Sequence, residues 1–79
     1  MKAVYKGRTE YYNKHYKYKP MTIRHGKIYD IAINDTLDIL NRWVWVSIIE
    51  KGYVRTEIPY QKHMVKEYWE FNKKRGKYV

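Results

Sequence analysis

Apolar and polar residues alternate over short stretches of this chain, a pattern typical of β-strands with one buried face. The alternation predicts strands at Lys2–Lys6, Lys27–Ile33, Arg42–Ile49 and Tyr53–Ile58. Gly7 marks the end of the first of them. Because such stretches dominate the chain, we expect a small all-β domain.

The stretch Arg42–Ile49 is the strongest of the predicted strands. Val44, Val46 and Ile48 share one side of it. The other side carries Trp43, Trp45, Ser47 and Ile49. Since both sides are largely apolar, we expect a central strand with one face in the core and a second face that bears the tryptophans.

Turn-forming residues separate these strands. His25-Gly26 and Asn34-Asp35 predict two turns, and Glu50-Lys51-Gly52 predicts a hairpin turn whose glycine supplies a positive φ. Pro59 is expected to end the strand that begins at Tyr53. Residues 8–20 are polar and rich in tyrosine, and we expect them to form a long excursion, either flexible or a distorted hairpin.

The C-terminal third is less regular. Tyr60–Met64 fits one tight helical turn, and Thr36–Leu40 fits either a strand end or a helical turn. The apolar residues of Val65–Phe71 fit the spacing of a helix as well as that of a strand. We favour a strand, because a small barrel needs a last strand to pair with its first. We expect residues 1–71 to form one domain and residues 72–79 to form a basic tail.

Composition narrows the class of protein. The chain has 79 residues and no cysteine, so one domain without disulfides or thiolate-bound zinc is expected. No apolar run approaches the roughly 20 residues of a membrane span, and the start MKAVYKGR does not fit a signal peptide. We therefore expect a cytoplasmic protein with no membrane partner.

The net charge of +9 is concentrated at the two ends. Residues 1–27 carry +7, residues 28–71 carry −2 and residues 72–79 carry +4. Such asymmetry indicates a polyanionic partner, although lysines that keep a small protein in solution would give the same count. Both interpretations stay open at this point.

The stretch Arg8–Lys19 interleaves cations with tyrosines, which suits nucleic acid because basic groups hold phosphates and aromatic rings stack on bases. A plain loop and a protein interface are the alternatives. Trp45 is a further stacking candidate, unless one of the two neighbouring tryptophans is in the core and the other half-buried under the loop. The candidate nucleic-acid-binding residues are Arg8, Lys14, Tyr16, Lys17, Tyr18, Lys19, Arg24, Trp45, Lys73, Lys74 and Arg75.

Catalysis and metal binding have little support. His15, His25 and His63 lack the spacing of a metal site. The chain also has no cysteine nucleophile, GxSxG motif or phosphate-binding glycine loop. We expect no enzyme activity, no catalytic residues, no bound metal and no cofactor.

Four segments, KAVYKGRT, HGKIYDI, WVWVSI and IPY, occur in an order that resembles the Src-homology-3-like small barrels. More narrowly, the chain is similar to short proteins of that kind from Gram-positive bacteria and their phages. The resemblance implies a five-stranded barrel with a long first loop and one short helical turn, and a phage or prophage origin. It does not extend to proline-peptide recognition, because the first loop carries only one acid, Glu10.

In a barrel of this kind the first and last strands pair, which would bring the basic N-terminal segment and the basic tail together. We therefore predict a non-enzymatic module that binds nucleic acid through its basic, tyrosine-rich loop. The alternative is an adaptor or inhibitor that binds a host protein. A third possibility is a self-assembling structural protein.

Overall fold

The computed structural model describes residues 1–35, 40 and 42–71. Within these residues, seven strands and two short helical turns follow one another. They are β1 (Lys2–Tyr5), β2 (Glu10–Tyr12), β3 (Met21–Ile23), β4 (Ile28–Asp35), β5 (Trp43–Glu50), β6 (Tyr53–Gln61), a 3₁₀ turn (Lys62–Met64), α1 (Val65–Tyr68) and β7 (Trp69–Phe71).

Five of the strands form one antiparallel sheet in the order β6-β5-β4-β1-β7. Ala3 of β1 lies opposite Tyr29 of β4 on one side and Phe71 of β7 on the other. The predicted pairing of the first and last strands is thus confirmed. Strands β2 and β3 form a separate hairpin. No pairing joins β6 to β7 within the described residues, so this sheet is open and not a closed barrel.

The core lies on one face of the sheet. Val44, Val46 and Ile48 are all buried there, as their alternation in β5 predicted. Trp69 is also buried, with its ring centroid 5.1 Å from that of Tyr5 and 5.9 Å from that of Tyr29. Burial of these large side chains removes apolar surface from water and is the main stabilising contribution in so small a domain.

The hairpin turn between β5 and β6 forms as predicted. Lys51 and Gly52 have φ angles of 54° and 82°, the combination that a tight hairpin with right-handed strand twist requires. The turn predicted at Asn34-Asp35 is wrong, because β4 continues through Asp35, which pairs with Val44. The long partner strand β5 supplies ladder positions for both residues.

Pro59 does not end β6, contrary to prediction, since the strand continues to Gln61. Pro59 lies opposite Trp45, and β6 is at the edge of the sheet. A proline has no N–H to donate, and an edge strand tolerates this because the missing donor need not serve a second neighbour.

The prediction of one strand over Val65–Phe71 is wrong in its first half. Residues Val65–Tyr68 form a helical turn that buries Val65, and only Trp69–Phe71 are extended. The helical turn predicted over Tyr60–Met64 is confirmed only at Lys62–Met64, because Tyr60 and Gln61 still belong to β6. Apart from Leu40, the prediction for Thr36–Leu40 lies outside the described residues, as does that for the tail.

Among the described residues, no helix has the length and apolar character needed to cross a bilayer.

Candidate nucleic-acid interface

A groove lined mainly by aromatic side chains lies at the β6 edge of the sheet and encloses about 490 Å³. Residues from both faces of β6 line it, since Tyr60 is on the core side and Pro59 on the opposite side. We call this feature the aromatic groove. The aromatic and imidazole side chains that line it are Tyr5, Tyr12, His15, Tyr16, Trp43, Trp45, Tyr60 and Tyr68.

A second concavity, of about 720 Å³, adjoins the first at Trp43, which lines both. Four of its six lining residues are basic or imidazole side chains, and we call it the basic cleft. Its lining residues are Arg42, Trp43, Gln61, Lys62, His63 and Lys66. An aromatic surface and a group of cations therefore meet at one tryptophan.

His15 anchors the loop between β2 and β3 against the sheet. Its ring centroid lies 5.4 Å from that of Tyr16, 4.7 Å from that of Tyr18 and 5.5 Å from that of Trp45. Its Nε2 lies 3.5 Å from Oε1 of Glu57, and its Nδ1 accepts a hydrogen bond from the backbone N–H of Lys17 at 3.1 Å. With Nδ1 accepting from this amide, Nε2 is the ring nitrogen that faces the Glu57 carboxylate.

Glu57 joins that loop to the interior of the sheet. The Tyr18 hydroxyl donates to its Oε1 and the Ser47 hydroxyl to its Oε2, both at 3.2 Å. Ser47 is buried and in turn accepts from the side-chain amide of Asn34 at 3.2 Å. A continuous polar network thus runs from β4 to the loop.

Arg55 holds the far end of the same loop. Its two terminal nitrogens donate to the carbonyls of Lys19 and Pro20 at 2.7 and 2.8 Å. Hydrogen bonds from a charged donor are among the stronger ones in proteins. The loop of residues 13–20 is therefore fixed to the sheet through His15 and through Arg55. Its residues Lys14, His15 and Tyr16 line the groove.

Three phenol groups that line the groove, those of Tyr5, Tyr12 and Tyr60, have a raised pKa. Burial, and after it the negative charge of Glu10, raises the pKa of Tyr5 and of Tyr12. Burial raises the pKa of Tyr60 more strongly, an effect that the nearby Trp69 indole partly offsets. That indole N–H is buried and completes no hydrogen bond with the described residues. The hydroxyls of these three tyrosines consequently stay uncharged in neutral solution.

The structure brings some of the predicted binding residues together. Lys14, Tyr16 and Trp45 all line the aromatic groove, and the Tyr16 ring is 96% exposed. Trp45 is half-buried under the loop, whereas Trp43 is 39% exposed, so neither tryptophan is in the core.

Other predicted residues lie elsewhere. Tyr18 is half-buried against Glu57, while Lys17 and Lys19 are exposed on the loop. Arg8 lines a smaller cavity next to the groove, and Arg24 lines neither feature. Lys73, Lys74 and Arg75 are outside the described residues.

Four residues that line these two features were not among the binding residues predicted from the sequence. They are Trp43, Tyr60, Lys62 and Lys66. The IPY segment and the lysines after it were visible in the sequence, but only the pairing of Trp43 with Gln61 shows that they adjoin the tryptophan strand.

The described residues contain no group of three or more histidine or carboxylate side chains that could hold a metal ion. Comparisons with protein-family models, with curated proteins and with solved structures found no significant match to this chain.

Proposed function

We propose that this protein is a non-enzymatic binding module that takes single-stranded nucleic acid across the aromatic groove and the basic cleft. The observation that carries the proposal is the position of Trp43, which lines both features. A base stacked on this indole would have its phosphates beside the cations of the cleft. This is the combination of stacking surface and positive groove by which proteins hold single strands.

The exposed rings support stacking. Tyr16 and Trp43 keep 96% and 39% of their surface exposed, and both belong to the groove. Stacking of a base on an aromatic side chain contributes about 1–3 kcal/mol. Only unpaired bases present their faces, so this geometry favours single strands over duplexes.

The charge distribution supports a polyanion. Lys62 and Lys66 line the basic cleft, and Lys14 lines the groove. With a net charge of +9, the protein attracts anions at long range, and each neutralised phosphate releases counterions. Arg8, Lys17, Lys19 and Arg24 add to this field without lining either feature.

The anchored loop supports affinity. Because His15 and Arg55 already hold residues 13–20, binding need not order this segment. A preorganised surface loses less conformational entropy when it binds.

The test is fluorescence anisotropy of labelled single-stranded DNA, single-stranded RNA and duplex DNA at low and near-physiological salt. We expect single strands to bind more tightly than the duplex, and binding to persist at the higher salt. Trp43→Ala is expected to weaken single-strand binding about 5- to 150-fold, the equivalent of one lost stack. The matched control is Tyr53→Ala, because Tyr53 is 78% exposed and outside both features. Equal weak binding of all three nucleic acids, or equal effects of the two variants, would contradict the proposal.

A second candidate is an adaptor or inhibitor that binds a host protein in the same groove. The apolar lining contributed by Ile58, Pro59 and Met64 favours it, since tyrosine- and tryptophan-rich apolar pockets are also protein hot spots. A complex with a host protein that survives nuclease and high salt would select this function over the first.

We also propose that the fold is a variant of the Src-homology-3-like architecture. The strand order β6-β5-β4-β1-β7, the long hairpin between β1 and β4, and the 3₁₀ turn before the last strand support it. An experimental structure in which β6 and β7 belong to unrelated layers would contradict it. The phage origin stays a prediction.

A further inference from the structure

Glu10 is the only acidic side chain among the described residues that line the aromatic groove. It also lines the smaller adjoining cavity, together with Tyr5, Arg8, Thr9 and Tyr68. It is exposed, and no hydrogen bond or ion pair engages its carboxylate in the described part of the chain. An unneutralised anion therefore lies within the groove of a strongly basic protein.

The surroundings of this carboxylate are aromatic. Tyr5, Tyr12 and Tyr60 line the groove together with it, and its negative charge adds to the burial that raises the pKa of each of these phenols. The Glu10 carboxylate repels a phosphate, whereas the basic cleft carries Lys62 and Lys66 and has no acid among its lining residues. A strand bound across both features would consequently point its bases into the groove and its backbone toward the cleft.

A carboxylate accepts two hydrogen bonds side by side and donates none. Guanine is the one common base whose Watson–Crick edge offers two adjacent donors, N1–H and the N2 amino group. Adenine and cytosine each present an acceptor beside their donor, and uracil flanks its single N–H with two carbonyls. Single-stranded bases are read in proteins by this edge while their faces stack.

We propose that Glu10 makes the aromatic groove selective for guanine, with the carboxylate accepting from N1–H and N2–H while the ring lies against the groove tyrosines. This inference rests on the proposed single-strand binding. A good bidentate pair discriminates against a wrong base by about 5- to 150-fold. We expect a preference of about tenfold in this exposed groove.

The test uses labelled uridine octamers in which one central position is guanine, inosine, adenine, cytosine or uridine. A single guanine avoids self-association of the probe. We expect guanine to bind about tenfold more tightly than adenine, cytosine or uridine, with inosine between them because it lacks the N2 amino group. Glu10→Gln keeps the size of the side chain but replaces one acceptor with a donor, so this variant should lose the guanine preference and still bind uridine octamers.

The possible failures are separable. If no octamer binds, the proposed function itself is overturned. If all octamers bind wild type equally, or if Glu10→Gln keeps the guanine preference, only the role of Glu10 is overturned. If a peptide whose only charged side chain is one arginine binds more tightly than any octamer and requires Glu10, the carboxylate belongs to a protein-binding site and the inference is overturned.

Discussion

His15 Nε2 lies 3.5 Å from Oε1 of Glu57, although only Glu57 belongs to the five-stranded sheet. Glu57 is on the edge strand β6, and His15 is in the loop that joins the separate hairpin β2–β3. Through this contact the edge of the large sheet and the loop of the small one form a single groove wall. The shape of the binding surface therefore depends on a polar contact as well as on the core.

Removing the Glu57 carboxylate should destabilise the protein. Glu57→Ala leaves the buried Ser47 hydroxyl without its acceptor, at a cost of about 1–3 kcal/mol in the free energy of unfolding. Glu57→Gln keeps an acceptor of the same size and should cost less. Urea denaturation of both variants checks this, and equal stability of Glu57→Ala and wild type would contradict the role of the network.

Stability should fall in alkaline solution, in part through Tyr60. Burial raises the pKa of its hydroxyl above the ordinary value of 10.0, so the folded state keeps a proton that the unfolded state loses. The associated stability is fully present below pH 10.0 and is lost as the pH rises toward the raised pKa. Tyr60→Phe has no proton to lose, so its urea midpoint should fall less between about pH 9 and 11. The exposed Tyr53→Phe should follow wild type, and parallel curves for all three proteins would refute the assignment.

Gly7 should tolerate no side chain. A Cβ at this position would overlap the phenol of Tyr5, which is 3% exposed and donates to the Arg8 carbonyl at 3.1 Å. Gly7→Ala forces that ring to move within the core, so we expect a loss of about 1–3 kcal/mol. Thermal and urea unfolding measure it. The double variant Gly7→Ala with Tyr5→Phe should recover part of the loss, because the hydroxyl comes closest to the added carbon.

The basic cleft should determine the salt dependence of binding. Each phosphate contact contributes about 0.7 to the slope of log affinity against log salt for a single strand. Replacing both Lys62 and Lys66 with alanine should therefore lower the slope by about 1.4. Lys6 and Lys27 line neither feature, so replacing both removes the same charge with a smaller change in slope. Anisotropy titrations over a range of salt concentrations distinguish the pairs, and identical slopes would remove the cleft from the binding site.

The strands with one buried face could be predicted from the sequence because their alternation follows directly from burial. Two local expectations failed because the neighbouring strand decided the outcome, and a third failed for another reason. Asn34 and Pro59 are extended because they pair with residues of β5. Neither residue type by itself predicts a strand. Val65–Tyr68 turns as a helix although its residues fit a strand, because a short apolar run carries no period of its own.

The candidate site could be predicted only in part. Tyr16 and Lys14 were found because cations and tyrosines alternate in one segment. The groove, however, also joins Tyr5, Trp43 and Tyr60, which are far apart along the chain and meet only through strand register. In the sequence Glu10 is a single acid in a basic loop, and the role that we propose for it depends on its position in the lining of the groove.

Strand β1 cannot complete its pairing until β7 has been synthesised. β1 lies between β4 and β7, and the Trp69 ring fills the space beside Tyr5 and Tyr29. As the ribosome delivers the chain from its N-terminus, β7 emerges after every other described strand. Until then one edge of β1 is unpaired, and the core lacks Trp69, the largest of its fully buried side chains. Final closure of this domain is thus postponed until synthesis has passed residue 71, and a nascent chain stalled earlier would expose apolar surface to chaperones and proteases.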